Sequence, residues 1–185
     1  MPVARAEAQA GPGVILDAAA CSLEGCAAFL AGLGADKYSR ACPRMFDSTI
    51  GQHVRHSIDH FAAVVASLDG AVVDYDHRER QTPIERDRAH AIAAIEELLR
   101  RFSSLTSDTL GASVRVRIMV SAEGEEAELR STFGRELAFA THHATHHFAM
   151  IASIAAEFGV EIPSGFGKAP STIHNERRVR SETGR

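Results

Sequence analysis

The sequence is short of the features that would assign it to a specialised class. No apolar run approaches the roughly 18 residues that a membrane-spanning helix needs, and this argues against a membrane protein. Lys and Arg number 20 against 24 Asp and Glu, for a formal net charge of −4. A chain without a basic excess or a recognisable reading motif offers nothing to nucleic acid. The three cysteines, Cys21, Cys26 and Cys42, are odd in number and form no Cys-x-x-Cys. A reducing cytoplasm is their expected setting, with Cys21 and Cys26 read as small apolar helix residues. The first 13 residues hold no hydrophobic segment of signal type and read as a frayed start. Internal repeats and low-complexity tracts are absent. What remains is 185 residues, 45 % apolar and 24 % charged, enough for one globular domain with a sizeable core.

Periodicity divides the chain into four long helices. The first runs from Val14 to Leu33, with Leu16, Leu23, Phe29 and Leu30 at helical spacing and Gly32 and Gly34 to close it. Residues 35–46 read as a surface connection. The second helix starts near Asp47-Ser48-Thr49, where Thr49 and Gln52 can form a capping box, and stops at Asp69-Gly70. A polar loop over 72–81 leads to Thr82-Pro83-Ile84-Glu85, a second capping signal, and to a third helix ending near Leu105. Val114 to Ile118 alternates strictly, which predicts a strand of a small hairpin turning at Glu123-Gly124, with a return strand through Ala127 and Leu129. The fourth helix spans about Thr132 to Phe158. The expected architecture is all-α, a four-helix bundle with a β-hairpin inserted between helices 3 and 4. The domain is expected over 1–162, and 163–185 as an extended to disordered tail.

Histidine is the residue in unusual supply, and seven of the ten lie on the second and fourth helices. Residues four apart on a helix share a face. His143 and His147 therefore stack within the stripe Ala140, His143, His147, Ile151, Ile154 and Phe158, which is otherwise apolar and predicted to face the core. Buried imidazoles need a partner or must stay neutral, and a divalent metal meets that need. The plainer reading is a pair of core histidines bonded to backbone carbonyls. If the second helix faces the fourth, one of its histidines completes a set of three, which leaves a metal one open position. The apolar stripe of the second helix runs closest to His53. His56 shares a face with His60, Ala63 and Ser67, small or polar residues that would border a hollow.

The pair of segments Ile50-Gly51-Gln52-His53-Val54-Arg55-His56-Ser57-Ile58-Asp59 and His143-Ala144-Thr145-His146-His147-Phe148-Ala149 resembles the DinB/YfiT-like superfamily. That resemblance covers about Leu16 to Gly159 and implies a four-helix bundle whose metal is held by one histidine of the second helix and a His-x-x-x-His pair on the fourth. His56, followed three residues later by Asp59, fits the family's second-helix pattern. The implied ligand set is His56, His143 and His147, with His53 as the alternative third ligand. Asp59, His60 and His146 are candidates for acid–base work by proximity alone. The resemblance also implies a metal-dependent transferase or hydrolase acting on a small molecule, with zinc or nickel as the ion and a low-molecular-weight thiol as a possible cofactor. A homodimer in the cytoplasm is the expected state. A non-catalytic, dimerising metal-binding protein is the alternative. A di-iron bundle would need inward carboxylates close to the histidines, and Glu136 and Glu157 are placed away from them.

Overall fold

The computed structural model describes residues 11, 13–77 and 80–183. The expected frayed start falls largely outside these residues. Four long helices form the body: α1 (Val14–Gly32), α3 (Ile50–Ala66), α5 (Arg88–Phe102) and α6 (Phe133–Glu157). Two single-turn helices, α2 (Ala35–Tyr38) and α4 (Pro83–Arg86), join them, and α7 (Pro170–Thr183) follows. Three strands, β1 (Val73–Asp74), β2 (Ser113–Met119) and β3 (Glu126–Thr132), make a sheet of order β1-β2-β3, parallel between β1 and β2 and antiparallel between β2 and β3. The four-helix bundle with its β insertion is as expected. Strand β1 is additional: a two-residue strand within a polar loop carries no readable periodicity.

Side-chain caps account for the starts of three of the four long helices. The Thr49 hydroxyl accepts from the Gln52 N–H at 3.1 Å, and the Gln52 side chain accepts from the Thr49 N–H at 3.0 Å, closing the expected capping box of α3. Thr132 caps α6 by accepting from the Arg135 N–H at 3.3 Å. The expected continuous third helix is broken instead. Glu85 does not complete a box with Thr82; its carboxyl accepts from the Gln81 N–H at 3.0 Å and pairs with Arg55 at 2.6 Å. The chain becomes extended at Asp87, whose side chain then caps α5 through the Ala89 N–H at 2.8 Å. A long-range ion pair has overridden a local signal.

Two further expectations need correction. Helix α1 is long and apolar enough to cross a membrane by length and composition alone. It nonetheless buries Ala19, Leu23, Cys26, Phe29 and Leu30 in the bundle. The segment after Pro163 is not an extended tail over the described residues. Phe166 is stacked between Phe29 and Phe148, with ring centroids 4.7 and 5.3 Å away. Gly167, at φ +73°, lies so close to α6 that a Cβ would stand 2.6 Å from the Ala149 nitrogen. Residues 170–183 then form α7, a charged helix that buries no side chain and so has no apolar stripe to announce it.

The tightest helix contact in the site's support lies at Gly51. A Cβ there would stand 2.1 Å from the Glu85 carbonyl oxygen and 2.9 Å from the Tyr38 ring, while the Tyr38 hydroxyl donates to the Ile84 carbonyl at 2.6 Å. Alanine would favour an isolated helix by about 1 kcal/mol, but backbone cannot yield as a side-chain tip does. Gly51→Ala is expected to destabilise the fold by about 1–3 kcal/mol, read as a lower urea midpoint. An unchanged midpoint would show that α3 and α4 are not packed this closely.

Candidate metal centre

Helices α3 and α6 pack side by side, and their histidines meet across the contact. His56 Nε2 lies 2.8 Å from His143 Nε2, and His143 Nε2 lies 3.1 Å from His147 Nε2. His60 adds a fourth ring, with centroids 4.5 Å from His56 and 4.2 Å from His143. Ring nitrogens of His56, His60 and His143 all fall within 4.8 Å of one another. The predicted trio His56, His143 and His147 is therefore brought together, and so is His60, which only its neighbourhood had suggested. These two overlapping triads share His56 and His143. Three of the four rings are half-buried and His60 is buried at 4 % exposure. The cluster thus sits at the mouth of the bundle rather than in the closed core expected for His143 and His147.

Hydrogen bonds determine where the lone pairs point. The Ser48 hydroxyl donates to the Met45 carbonyl at 2.6 Å, so its oxygen is left to accept from His53 Nε2 at 3.1 Å. A neutral His53 protonated at Nε2 carries its lone pair on Nδ1. That atom lies 2.9 Å from His147 Nδ1, which must then be the donor. His147 is left with its lone pair on Nε2, directed at His143. His60 is fixed separately: its Nδ1 donates to the His56 carbonyl at 2.9 Å, which puts its lone pair on Nε2. These tautomers follow from the partners.

Protons alone do not satisfy this arrangement. His143 Nε2 faces Nε2 atoms of both His56 and His147 at hydrogen-bonding distance, and a single N–H can point along only one of those lines. A cation between the nitrogens satisfies them together. Ligand nitrogens about 2.0–2.1 Å from a tetrahedral zinc are separated by about 3.3 Å, close to the spacings here. The donor set fits a divalent ion that accepts imidazole, and the cluster fits a metal-binding protein. His147 is pushed down to about 3 by burial first and then by the charges of His143, His53, His146 and His60. His53 is also lowered, by burial and then by His146. Both are neutral near pH 7, the form that binds metal.

The remaining candidates fall around this centre. Asp59 accepts from Arg55 at 2.7 Å, and Arg55 also pairs with Glu85. His146 is exposed and meets His147 edge-on at 5.4 Å. The hollow expected beyond His60 is filled at its start by Tyr75, stacked on the His60 ring at 4.7 Å and 14°. Tyr75 donates to Glu136 at 2.7 Å. Burial, followed by that bond, raises its phenol well above the ordinary value. Glu136, 1 % exposed, also accepts from Ser131 at 2.6 Å and Arg135 at 2.8 Å. Neither Tyr75 nor Glu136 was assigned to the site from sequence. A lone aromatic in a charged loop and an acid two turns before the histidines were the only signals. Arg78 and Glu79 of that charged loop lie outside the described residues.

A cavity of about 370 Å³ lies on the far side of Tyr75 and Phe139, lined also by Val116, Ile118, Leu129, Arg130 and Arg135. Phe139 stacks on His143 at 5.8 Å, so the two rings are shared between cavity and cluster. A larger cavity, about 550 Å³, lies between α1, α6 and the 163–173 segment, and is lined by Thr141, Thr145 and Phe148. Those residues occupy the face of α6 turned away from His143 and His147, so that cavity does not serve the histidines.

His53 and His147 hold fewer protons folded than unfolded. Their stabilising contribution is complete above the ordinary value of 6.5 and is lost as pH falls towards the folded values, about 3 for His147. The melting temperature of metal-free protein should therefore drop between about pH 7.5 and pH 5.5, a range above the ordinary carboxylate values. His147→Gln should flatten the slope. A melting temperature independent of pH in wild type would contradict these protonation states.

Comparison with known proteins places this geometry in context. The sequence profile of the DinB superfamily matches residues 24–151. The chain is 35 % identical over 113 residues to "FK506-binding protein 5" of Rhizopus delemar, a match covering 58 % of this chain and 28 % of that protein. The chain thus spans little more than a quarter of the length of that curated relative. No solved structure matches. The profile covers α3, β2, β3 and α6 up to Ile151, which includes the four clustered histidines and His53, and the chain belongs to the DinB superfamily.

Proposed function

We propose that this protein is a metal-dependent enzyme of the cytoplasm that acts on a small molecule, as a transferase or hydrolase, with one divalent ion held by His56, His143 and His147. The observation that carries this reading is the double Nε2 contact of His143, at 2.8 and 3.1 Å, together with the Ser48–His53–His147 relay that turns the His147 lone pair inward. His53 then orients a ligand, as imidazole ligands are commonly oriented by a partner on their other nitrogen. His60, with its Nδ1 committed to a carbonyl, would serve as an additional donor to such an ion or as a base. Zinc or nickel suits an all-imidazole set. Such an ion supplies Lewis acidity that lowers the pKa of a bound water or a low-molecular-weight thiol.

The cavity beside Tyr75 and Phe139 is of a size for a small substrate. Tyr75 and Glu136 hold its wall against His60, and the buried phenol keeps its proton. Their part in the reaction is to fix the His60 ring at the edge of the site.

Elemental mass spectrometry on protein purified without a histidine tag tests the reading. Wild type should carry close to a single zinc or nickel ion per chain, and His56→Ala, His143→Ala and His147→Ala should each lose it. His53→Ala and Ser48→Ala should keep the site but weaken zinc affinity by about 10–100-fold. Loss with His60→Ala but not His147→Ala would assign the ion to the other triad. Protein that carries no metal and takes none up would make the histidines structural. Bound metal without turnover of any thiol or hydrolysable substrate would favour the non-catalytic alternative.

A further inference from the structure

Strand β3 is one of the two outer strands of the sheet, and its outer edge is unpaired among the described residues. Edge strands are commonly protected by charged side chains, proline, a bulge or a covering element, and the charges on this edge are of both signs, Glu126 and Glu128 against Arg130. Residues 126–132 contain no proline, lysine or glycine, and all seven pair with β2 in unbroken register. The side chains along this edge are ordered in a way that matches their own reversal.

The backbone phase follows from the two ends of the hairpin. The Val120 N–H donates to the Glu125 carbonyl at 2.7 Å, and the Phe133 N–H donates to the Ala112 carbonyl at 2.9 Å. Hydrogen-bonded and non-bonded pairs alternate in an antiparallel ladder. Leu129, opposite Val116, therefore directs its N–H and C=O towards β2, while Glu128 and Arg130 direct theirs to the free edge.

We infer that β3 pairs antiparallel with β3 of a second copy, about a two-fold axis at Leu129, to give a continuous six-stranded sheet. In this register Glu128 lies opposite the partner's Arg130, and Arg130 opposite the partner's Glu128. Both residues turn their backbone groups outward, so each of the two pairs exchanges two hydrogen bonds. The charges agree as well. Within one chain Arg130 lies across from Arg115, a like-charge pair. Among the described residues Arg130 has no ion pair, whereas Glu128 already accepts from Arg115 at 2.9 Å. The partner's Glu128 gives Arg130 the acid it lacks. On the opposite face Leu129, 53 % exposed, meets the partner's Leu129 and is covered. A two-fold axis at Arg130 would set that residue against its own copy, and one at Glu128 would add a Glu128–Glu128 contact to two Glu126–Arg130 pairs, so Leu129 is the register free of directly opposed like charges.

This pairing is independent of the metal, although it brings a second copy to the rim of the cavity lined by Leu129, Arg130 and Phe139. Analytical ultracentrifugation across a concentration series, with circular dichroism to verify folding, tests it. Wild type should be dimeric. Glu128→Arg and Arg130→Glu should each weaken the dimer by about tenfold or more, since each puts two like-charge contacts at the axis, and the double exchange should restore it. In a Cys21→Ser background, Leu129→Cys should form a disulfide-linked dimer under mild oxidation. Ala127→Cys and Ser131→Cys should not, because residue 127 lies opposite residue 131. A folded wild type that stays monomeric would overturn the inference. So would a dimer indifferent to both charge reversals and lacking the Leu129→Cys cross-link, which would use another surface.

Discussion

The arrangement of the site depends on how few protons can lie between the imidazoles. Each neutral ring offers one N–H and one lone pair, and the surroundings fix which nitrogen bears which on two of the rings. Ser48 and His53 commit the His147 Nδ1 proton outward, and the His56 carbonyl commits that of His60. The remaining nitrogens converge around His143 with fewer protons than contacts. Water would relieve such crowding at an exposed surface. At the half-buried junction of α3 and α6 a cation relieves it with greater gain, because the low dielectric penalises unmatched lone pairs as well as unmatched charges. Burial also keeps His147 neutral, pushed down to about 3, so protons do not compete with metal near pH 7.

The rest of the fold serves to hold those rings at that spacing. The α3 cap at Thr49 fixes the start of the helix one turn before His53. The turn before it places Phe46 and Asp47 at φ +54° and +57°, a left-handed backbone that non-glycine residues adopt at a cost of about 1–3 kcal/mol each. That turn carries Ser48, the residue at the start of the relay to His147. On the other side Gly51 lets α4 approach α3 closely, and Arg55, held by Asp59 one turn along α3, pairs with Glu85 to tie α4 to α3. Glu136, Ser131 and Arg135 anchor Tyr75 against His60. Strain and buried polar groups are thus concentrated around the cluster.

Much of this was legible in the sequence where the signal is local. The four long helices follow from apolar periodicity, the α3 start from Thr49 and Gln52, and the hairpin from the strict alternation of Val114 to Ile118 and the turn at Glu123-Gly124. The His143–His147 pair follows from a spacing of four, and the choice of His56 rested on its face and on a family resemblance. What was not legible depends on contacts far apart in the chain. The break at Asp87 requires Arg55 to draw Glu85 away from its local role. Tyr75 reaches Glu136 across 61 residues, and nothing in a polar loop signals which aromatic will turn inward. The two-sided role of His53 is a property of hydrogen-bond geometry, invisible to a helical wheel that showed it only as another histidine on the stripe. Helix α7 escaped notice because a helix that buries nothing has no pattern to read.

The central claim is that the converging nitrogens form a binding site for a single ion and are not merely a packed group of histidines. Titration of metal-free protein with cobalt(II), followed by visible absorption, tests it most directly, because band intensity reports coordination number and end point reports stoichiometry. The account predicts a sharp end point at a single ion per chain, with the intense bands of a four- or five-coordinate nitrogen-rich site. A pale spectrum that grows without saturation, unchanged when His143 is replaced by alanine, would contradict it.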